Sequence, residues 1–434
     1  MAKKTINSVL KNQISKIKPS ENEVKKVKKA ANDFIKILKD EIKKSGHDTQ
    51  VFIGGSFAKG TLIKKEKYDV DIFVRFDWRF DDISGMLEEL LKKVSKRIRF
   101  RIERLHGSRD YFQVFTEGED YYFEVIPVTK IKSPKEARNV TDLSYFHVSY
   151  VKNRIKGLED QLRLIKTFCH AQKVYGAETY VHGFSGYALE CLVIYYKSFT
   201  KILRELSKVK AGERKIIDLE KRYKKKNELF MDMNENKLHS PVIIVDPTFK
   251  ERNTLASLSH ETFEKFQKSA KEFLKNSSEE FFIEKPIDVN GLEKEAKKNK
   301  AELVKVRLKT DKQPGDIAGT KLKKFHYVLE KEMQEYFTLV KRQFEYNDQH
   351  EADVYLIVKP KKEVIRIGPP LHMKKFVNQF KKEHMDTFED NGLIHARIKV
   401  NFGPKEFIDV WKKGNKKLLE DMSIIGLDII QPKD

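Results

Sequence analysis

A chain of 434 residues is longer than one compact core usually uses, so roughly two to four domains are expected. Hydrophobic residues make up 39% of it, which excludes a disordered chain, and no apolar run approaches a membrane span. Lys and Arg total 87 against 65 Asp and Glu, a formal charge of +22 that suits a phosphate-rich partner, although a genome-wide lysine bias would give the same surplus.

The opening "MAKKTINSVLKNQ" lacks the apolar segment of a signal peptide, so a soluble, cytoplasmic protein is expected. Residues 5–46 read as two helices. The second has a plausible N-cap at Ser20 or Asn22, apolar residues at helical spacing and a natural stop at Gly46. "DTQVFIGGS" and "KYDVDIFVRF" read as strands, "ISGMLEELLKKVSKRI" as an amphipathic helix, and "FRIERLH" and "DYFQVFTEG" as further strands. "EDYYFEVIPVTKI" completes this small mixed sheet as a strand closed by Pro127.

From about Asp142 the pattern is helical, in "GLEDQLRLIKTFCHAQ", "SGYALECLVIYYKSFTKILRELS" and "HETFEKFQKSAKEFLKNS". The lysine-rich "RYKKKNELFMDMNENK" between the last two reads as an exposed loop. Residues 300–434 alternate strands ("ELVKVRLK", "DVYLIVKP", "IHARIKV") with helices ("KKFHYVLEKEMQEYFTLVKR", "PKEFIDVWKKG"). The expected fold class is α+β and multidomain, with domains at 1–140, 141–285 and 286–434. Cys169 and Cys191 sit in helical patterns without zinc-site spacing and read as buried thiols in a reducing compartment.

The chemistry concentrates in "VFIGGSFAKGTLIKKEKYDVDIFVRF", residues 51–76. Strand residues two apart share a face, so Asp69 and Asp71 point together while Val70 and Ile72 face the other way. Two adjacent carboxylates repel each other, and a divalent cation such as Mg²⁺ resolves the conflict; two exposed aspartates on an edge strand are the bland alternative. Before them, Gly54 and Gly55 allow a tight turn, Ser56 adds a hydroxyl and Lys59 a positive charge, at a helix start suited to a triphosphate. A two-metal site needs a third carboxylate. Glu124, in the apolar strand "YYFEVIPV", is preferred over Asp120, which lies at the strand entry.

Together, "GSFAKGT", Asp-x-Asp and a third strand carboxylate resemble the polymerase-β-like nucleotidyltransferases. Within them, the chain resembles the archaeal-type (class I) CCA-adding enzymes. "RIKGLEDQLRLIKTF", "VYGAETYVHGFSGY", "IIVDPTFKERNTLASLS" and "RIGPP" look like that family's segments, in its order. The resemblance implies a nucleotidyltransferase head, a helical neck and an α+β body and tail, often as a homodimer. It implies template-independent addition of C, C and A to the 3′ end of tRNA from CTP and ATP with Mg²⁺.

Carried over by motif, Asp69, Asp71 and Glu124 resemble the metal-binding carboxylates, and Gly55, Ser56 and Lys59 the triphosphate-binding turn. His147, Lys166 and Tyr175 resemble the residues that hold the nucleotide's phosphates and sugar, and Arg252 the arginine that helps read the base. Three departures stand out. The family commonly has Asp where Glu124 stands and often Arg where Lys59 stands, and the C-terminal third matches mainly around "RIGPP". The rival readings are a poly(A) polymerase or 2′-5′ oligoadenylate synthetase of the same fold, and a non-catalytic RNA-binding protein with a decayed head.

Overall fold

The computed structural model describes residues 5–46 and 48–430. The outermost residues of the expected first and third domains, 1–4 and 431–434, lie outside that description. The chain divides into two compact units, Met1–Lys285 and Pro286–Asp434.

The first unit begins with α1 (Ile6–Ile17) and α2 (Glu21–Ser45). Ser20 starts α2 through a capping box: its hydroxyl accepts from Glu23 N, and its own N–H donates to the Glu23 carboxylate at 2.7 Å. Gly46 ends the helix at φ +73. There follow β1 (Gln50–Ile53), α3 (Gly55–Ala58), β2 (Tyr68–Phe76), α4 (Ile83–Ser95), β3 (Arg101–Leu105), β4 (Tyr111–Phe115) and β5 (Tyr121–Thr129). The strands form one sheet in the order β1-β2-β5-β4-β3, parallel between β2 and β5 and antiparallel elsewhere. Val70, Ile72, Val74 and Phe76 of β2 pack with Phe34 and Leu38 of α2 and Leu87 and Leu91 of α4. That burial leaves Asp69 and Asp71 on the opposite face.

Pro127 does not close β5, which runs on to Thr129. The neighbour β4 pairs only with Tyr122–Val125, so Pro127 sits where β5 has lost one partner and a missing N–H leaves no gap in that ladder.

The rest of the unit is mainly helical: α5 (Ser144–Arg154), α6 (Glu159–Ala171), α7 (Gly186–Tyr196), α8 (Phe199–Leu206) and, after an insertion, α11 (His260–Lys275). Phe168, Phe184, Phe199, Phe266 and Phe273 form its fully buried centre, to which α1 also contributes Val9 and Ile17. The run expected as one helix is broken into α7 and α8. Lys197 adopts φ +61, and the Ser198 hydroxyl caps α8 by accepting from Lys201 N.

The insertion holds β6 (Lys215–Asp218), α9 (Lys226–Asp232), α10 (Glu235–Leu238) and β7 (Val242–Val245), with β6 and β7 parallel. The lysine-rich stretch expected as a loop therefore contains two short helices. Leu229, Met233 and Leu238 bury against Ile243 and Val245 while the lysines stay outside.

The second unit carries α12 (Val289–Lys298), β8 (Glu302–Lys309), α13 (Asp316–Tyr336), β9 (Phe337–Tyr346), β10 (Glu351–Pro360), β11 (Glu363–Pro370), α14 (Lys374–Glu383), β12 (Thr387–Asp390), β13 (Leu393–Lys399), α15 (Pro404–Gly414), α16 (Lys416–Asp421) and β14 (Gly426–Ile430). One sheet has the order β14-β8-β10-β9, the other β11-β13-β12. The helix expected through Arg342 ends at Tyr336. Phe337 turns extended and begins β9, because "FTLVKRQFEY" pairs along β10. Among the described residues no helix is long and apolar enough to cross a membrane.

Candidate active site

The parallel ladder between β2 and β5 sets Asp69 opposite Tyr122 and Asp71 opposite Glu124. Asp71 and Glu124 are thus cross-strand neighbours on the face that carries Asp69. Gln113 of β4 lies opposite Glu124, and its side-chain amide donates to Glu124 Oε1 at 2.9 Å. Lys65 Nζ donates to Asp69 Oδ1 at 2.6 Å. Asp120 is turned elsewhere, to Lys26 of α2 at 2.7 Å.

Burial and the charge of Asp69 push the Asp71 carboxyl up to about 6, against the pull of Lys59 and Lys166. Burial and the charge of Asp71 push Glu124 up to about 7, against the hydrogen bond from Gln113. Among the described residues no group of three or more His, Cys, Asp and Glu side chains is placed to grip a metal as it stands. Lys65 and Gln113 hold the outer two carboxyls. The donor chemistry nevertheless fits a hard divalent cation: all ligands are oxygen, and burial and mutual repulsion make two of them costly anions without a cation.

The glycine turn is built against this face. Gly54 N donates to Asp71 O at 2.9 Å. Gly55 has φ +58, and a Cβ there would stand 1.6 Å from Asp71 Oδ2, so only glycine lets the turn lie on the carboxylate. The helix after it, α3, has four residues, so it presents the free N–H groups of one turn rather than a helix dipole. Ser56, half-buried, is the second residue of that turn, and its carbonyl accepts from Thr61 N at 2.9 Å.

Lys59 and Lys166 converge from α3's end and from α6 on a residue not singled out in the sequence, Glu190 of α7. Lys59 Nζ lies 2.7 and 2.8 Å from the two Glu190 oxygens, and Lys166 Nζ lies 3.6 Å from Oε1. Glu190 is 1% exposed. Burial alone would raise its pKa, but the two lysines hold it below the usual value.

His147 and Arg252 are gathered by a second unassigned carboxylate, Asp246, which is fully buried. His147 Nε2 lies 3.0 Å from Asp246 Oδ2, and Arg252 donates to the same oxygen at 2.9 Å. Asp246 Oδ1 accepts from Tyr187 OH at 3.1 Å and from Thr248 N and its hydroxyl at 2.8 Å. Burial works to raise the Asp246 carboxyl, but His147, Arg252 and Thr248 hold it well below the usual range. The His147 ring stacks on Tyr187 at 3.8 Å, and burial lowers its pKa against the pull of Asp246.

Tyr175 stacks on His170 at 3.8 Å, and its hydroxyl would meet a Cβ on Gly186 at 2.9 Å. Burial pushes the Tyr175 phenol up and the His170 imidazole down to about 4. Ser185 caps α7 by accepting from Ala188 N at 3.2 Å, which gives "GFSGY" a structural role.

The expected residues thus fall into two clusters. One holds Asp69, Asp71, Glu124, Lys59 and Lys166; the other holds His147 and Arg252. Lys59 links them, since its charge acts on both Asp71 and His147. Tyr175 lies with the first cluster, within the field of Glu190 and Asp69. The sequence did signal the missed residues. Glu190 is the one charge in "YALECLVIYY", and Asp246 ends the apolar run "VIIVD".

Two family models match the chain: a nucleotidyltransferase domain over residues 33–174, and the second domain of tRNA nucleotidyltransferase over residues 160–283. The CCA-adding enzyme of Nanoarchaeum equitans is 43% identical over 51% of this chain and 54% of its own length. That of Pyrococcus abyssi is 30% identical over 66% of this chain and 64% of its own. The chain spans less than two thirds of both. The CCA-adding enzyme of Methanocaldococcus jannaschii is 27% identical over 97% of this chain and 93% of its own length. A solved structure of Cid1, whose title describes RNA terminal uridylyl transferase activity, superposes with a TM-score of 0.50 at 14% identity, covering 65% of this chain and 100% of that one, a likeness of fold. The chain is thus similar to the CCA-adding enzymes of archaea, and it matches a nucleotidyltransferase domain followed by the second domain of tRNA nucleotidyltransferase.

Proposed function

We propose that this protein is a template-independent tRNA nucleotidyltransferase that adds C, C and A to the tRNA 3′ end from CTP and ATP, releasing pyrophosphate. The observation that carries the reading is the pairing of Asp71 with Glu124 across adjacent parallel strands, beside Asp69 and two buried lysines. Mg²⁺ held by Asp69, Asp71 and Glu124 would neutralise triphosphate charge and acidify the attacking hydroxyl.

The tRNA 3′-hydroxyl attacks the α-phosphate in line and pyrophosphate leaves. Gly55 and Ser56 receive the triphosphate on the exposed N–H groups of the turn. Lys59 and Lys166 offset charge on the leaving pyrophosphate. His147 and Tyr175, each fixed by ring stacking, hold sugar and phosphates. Arg252, oriented by Asp246, contacts the incoming base. The basic C-terminal unit docks tRNA through shape and phosphate contacts. The three expected domains, a cytoplasmic location and a homodimer belong to the same reading; light scattering on purified protein tests the dimer.

The deciding experiment uses a tRNA transcript lacking its CCA end, with Mg²⁺ and CTP alone, ATP alone, or both. Two C additions with CTP alone and a complete CCA end with both are expected. A ladder of A additions with no C would point to a poly(A) polymerase, and no elongation at all would remove the proposal.

A further inference from the structure

We infer that Glu190 is a positioning residue that holds the ammonium groups of Lys59 and Lys166 together as one preassembled clamp for an oligophosphate. The inference rests on the proposed nucleotidyl transfer for the clamp's purpose, not for its existence.

The three groups come from separate elements: the end of α3, the middle of α6 and the first turns of α7. Both lysine side chains are almost as buried as the carboxylate, at 10% and 9% exposure against 2%. Two ammonium groups drawn into such a place repel each other, and long lysine stems can escape to water. One carboxylate between them removes the repulsion and leaves the trio with a net charge of +1. Glu190 receives Lys59 through both oxygens, which fixes a flexible point charge much as a guanidinium fork would fix itself. The surplus charge is directed at the catalytic face, because both lysines act on Asp71. An ion pair that served only to join the head to the helical layer would need one lysine, and the second would be better left in solvent.

The test separates positioning from packing. Inorganic tripolyphosphate is titrated calorimetrically into parent protein, Glu190→Gln and Glu190→Asp at low ionic strength in EDTA. The KM for CTP and the thermal midpoint are measured alongside. With Gln, which keeps the shape and loses the charge, the tripolyphosphate Kd and the KM for CTP should each rise by about tenfold or more, the scale of one charge-assisted hydrogen bond. Asp, which keeps the charge on a shorter stem, should recover part of that loss; if the Gln variant does not fold, the Asp variant alone should still bind more weakly than the parent. A lower thermal midpoint with unchanged Kd and KM would show a purely structural ion pair and overturn the inference. So would tighter binding in Glu190→Gln, because the carboxylate would then merely compete with phosphate, and so would a parent protein without affinity for tripolyphosphate. Loss of tripolyphosphate binding in Glu190→Gln, from a parent that never elongates tRNA, would keep the clamp and remove the proposed transfer.

Discussion

Replacing Gly55 by alanine tests how closely the turn and the Asp71 carboxylate are built against each other. Two costs are expected. A side chain at φ +58 is strained by roughly 1–2 kcal/mol. The new Cβ would also lie 1.6 Å from Asp71 Oδ2, closer than the 3.0 Å that real Cβ contacts respect, so the carboxylate must retreat by more than about 1 Å. That overlap adds about 1–3 kcal/mol, and a misplacement of this size at a reacting centre costs on the order of a hundredfold in rate. Gly46→Ala is the matched control: it has the same sign of φ, +73, with nothing within 4 Å of the added Cβ. Urea denaturation followed by circular dichroism should show Gly46→Ala losing about 1 kcal/mol with full nucleotide addition. Gly55→Ala should lose about twice that or more, with addition down by about two orders of magnitude. Equal behaviour of the two variants in both assays would refute the argument.

Asp71→Asn should abolish nucleotide addition while leaving tRNA binding, read by gel shift, unchanged; retained addition would take Asp71 out of the metal site. Glu124→Gln should do the same, whereas Asp120→Asn, which removes one of the two carboxylates paired with Lys26, should leave addition within about twofold of the parent. Asp246→Asn should destabilise by about 3 kcal/mol at pH 7, because it strands Arg252 and His147. Asp246 is held well below its unfolded value of 3.8, so its stabilisation is complete above that value and is lost only as pH falls below it. Because Asp246 also supports the charged form of His147, the Asp246→Asn penalty in thermal midpoint should grow as pH falls below about 6.5 and shrink only below about pH 4, where Asp246 itself is lost; a penalty that shrinks steadily from about pH 8 downward would contradict this sign.

Much of the head was legible in the sequence because strand periodicity is local. Alternation alone sorts Val70 and Ile72 from Asp69 and Asp71, and Phe123 and Val125 from Glu124 between them. What alternation cannot give is register between strands, and it is register that makes Glu124 the neighbour of Asp71. Glu190 was visible as a lone charge in an apolar helix, yet its meaning depends on Lys59, 131 residues away in the chain. Asp246 is similar, since His147 and Arg252 reach it from opposite sides of the sequence. The switch from helix to strand at Phe337 was missed because helical spacing continues locally, and pairing with β10 outweighs it.

The two cysteines acquire an experimental use from where they sit. Cys169 follows Lys166 by less than one turn of α6, Cys191 is next to Glu190 on α7, and both are sealed in the same core. Burial raises both thiols far above their ordinary values, so neither presents a reactive thiolate while the core is shut. Alkylation by a thiol reagent can therefore proceed only through opening of the helices that carry the lysine clamp. The labelling rate is then a clock for that opening, readable by mass spectrometry in the unmodified protein, and an oligophosphate held by Lys59 and Lys166 should slow it.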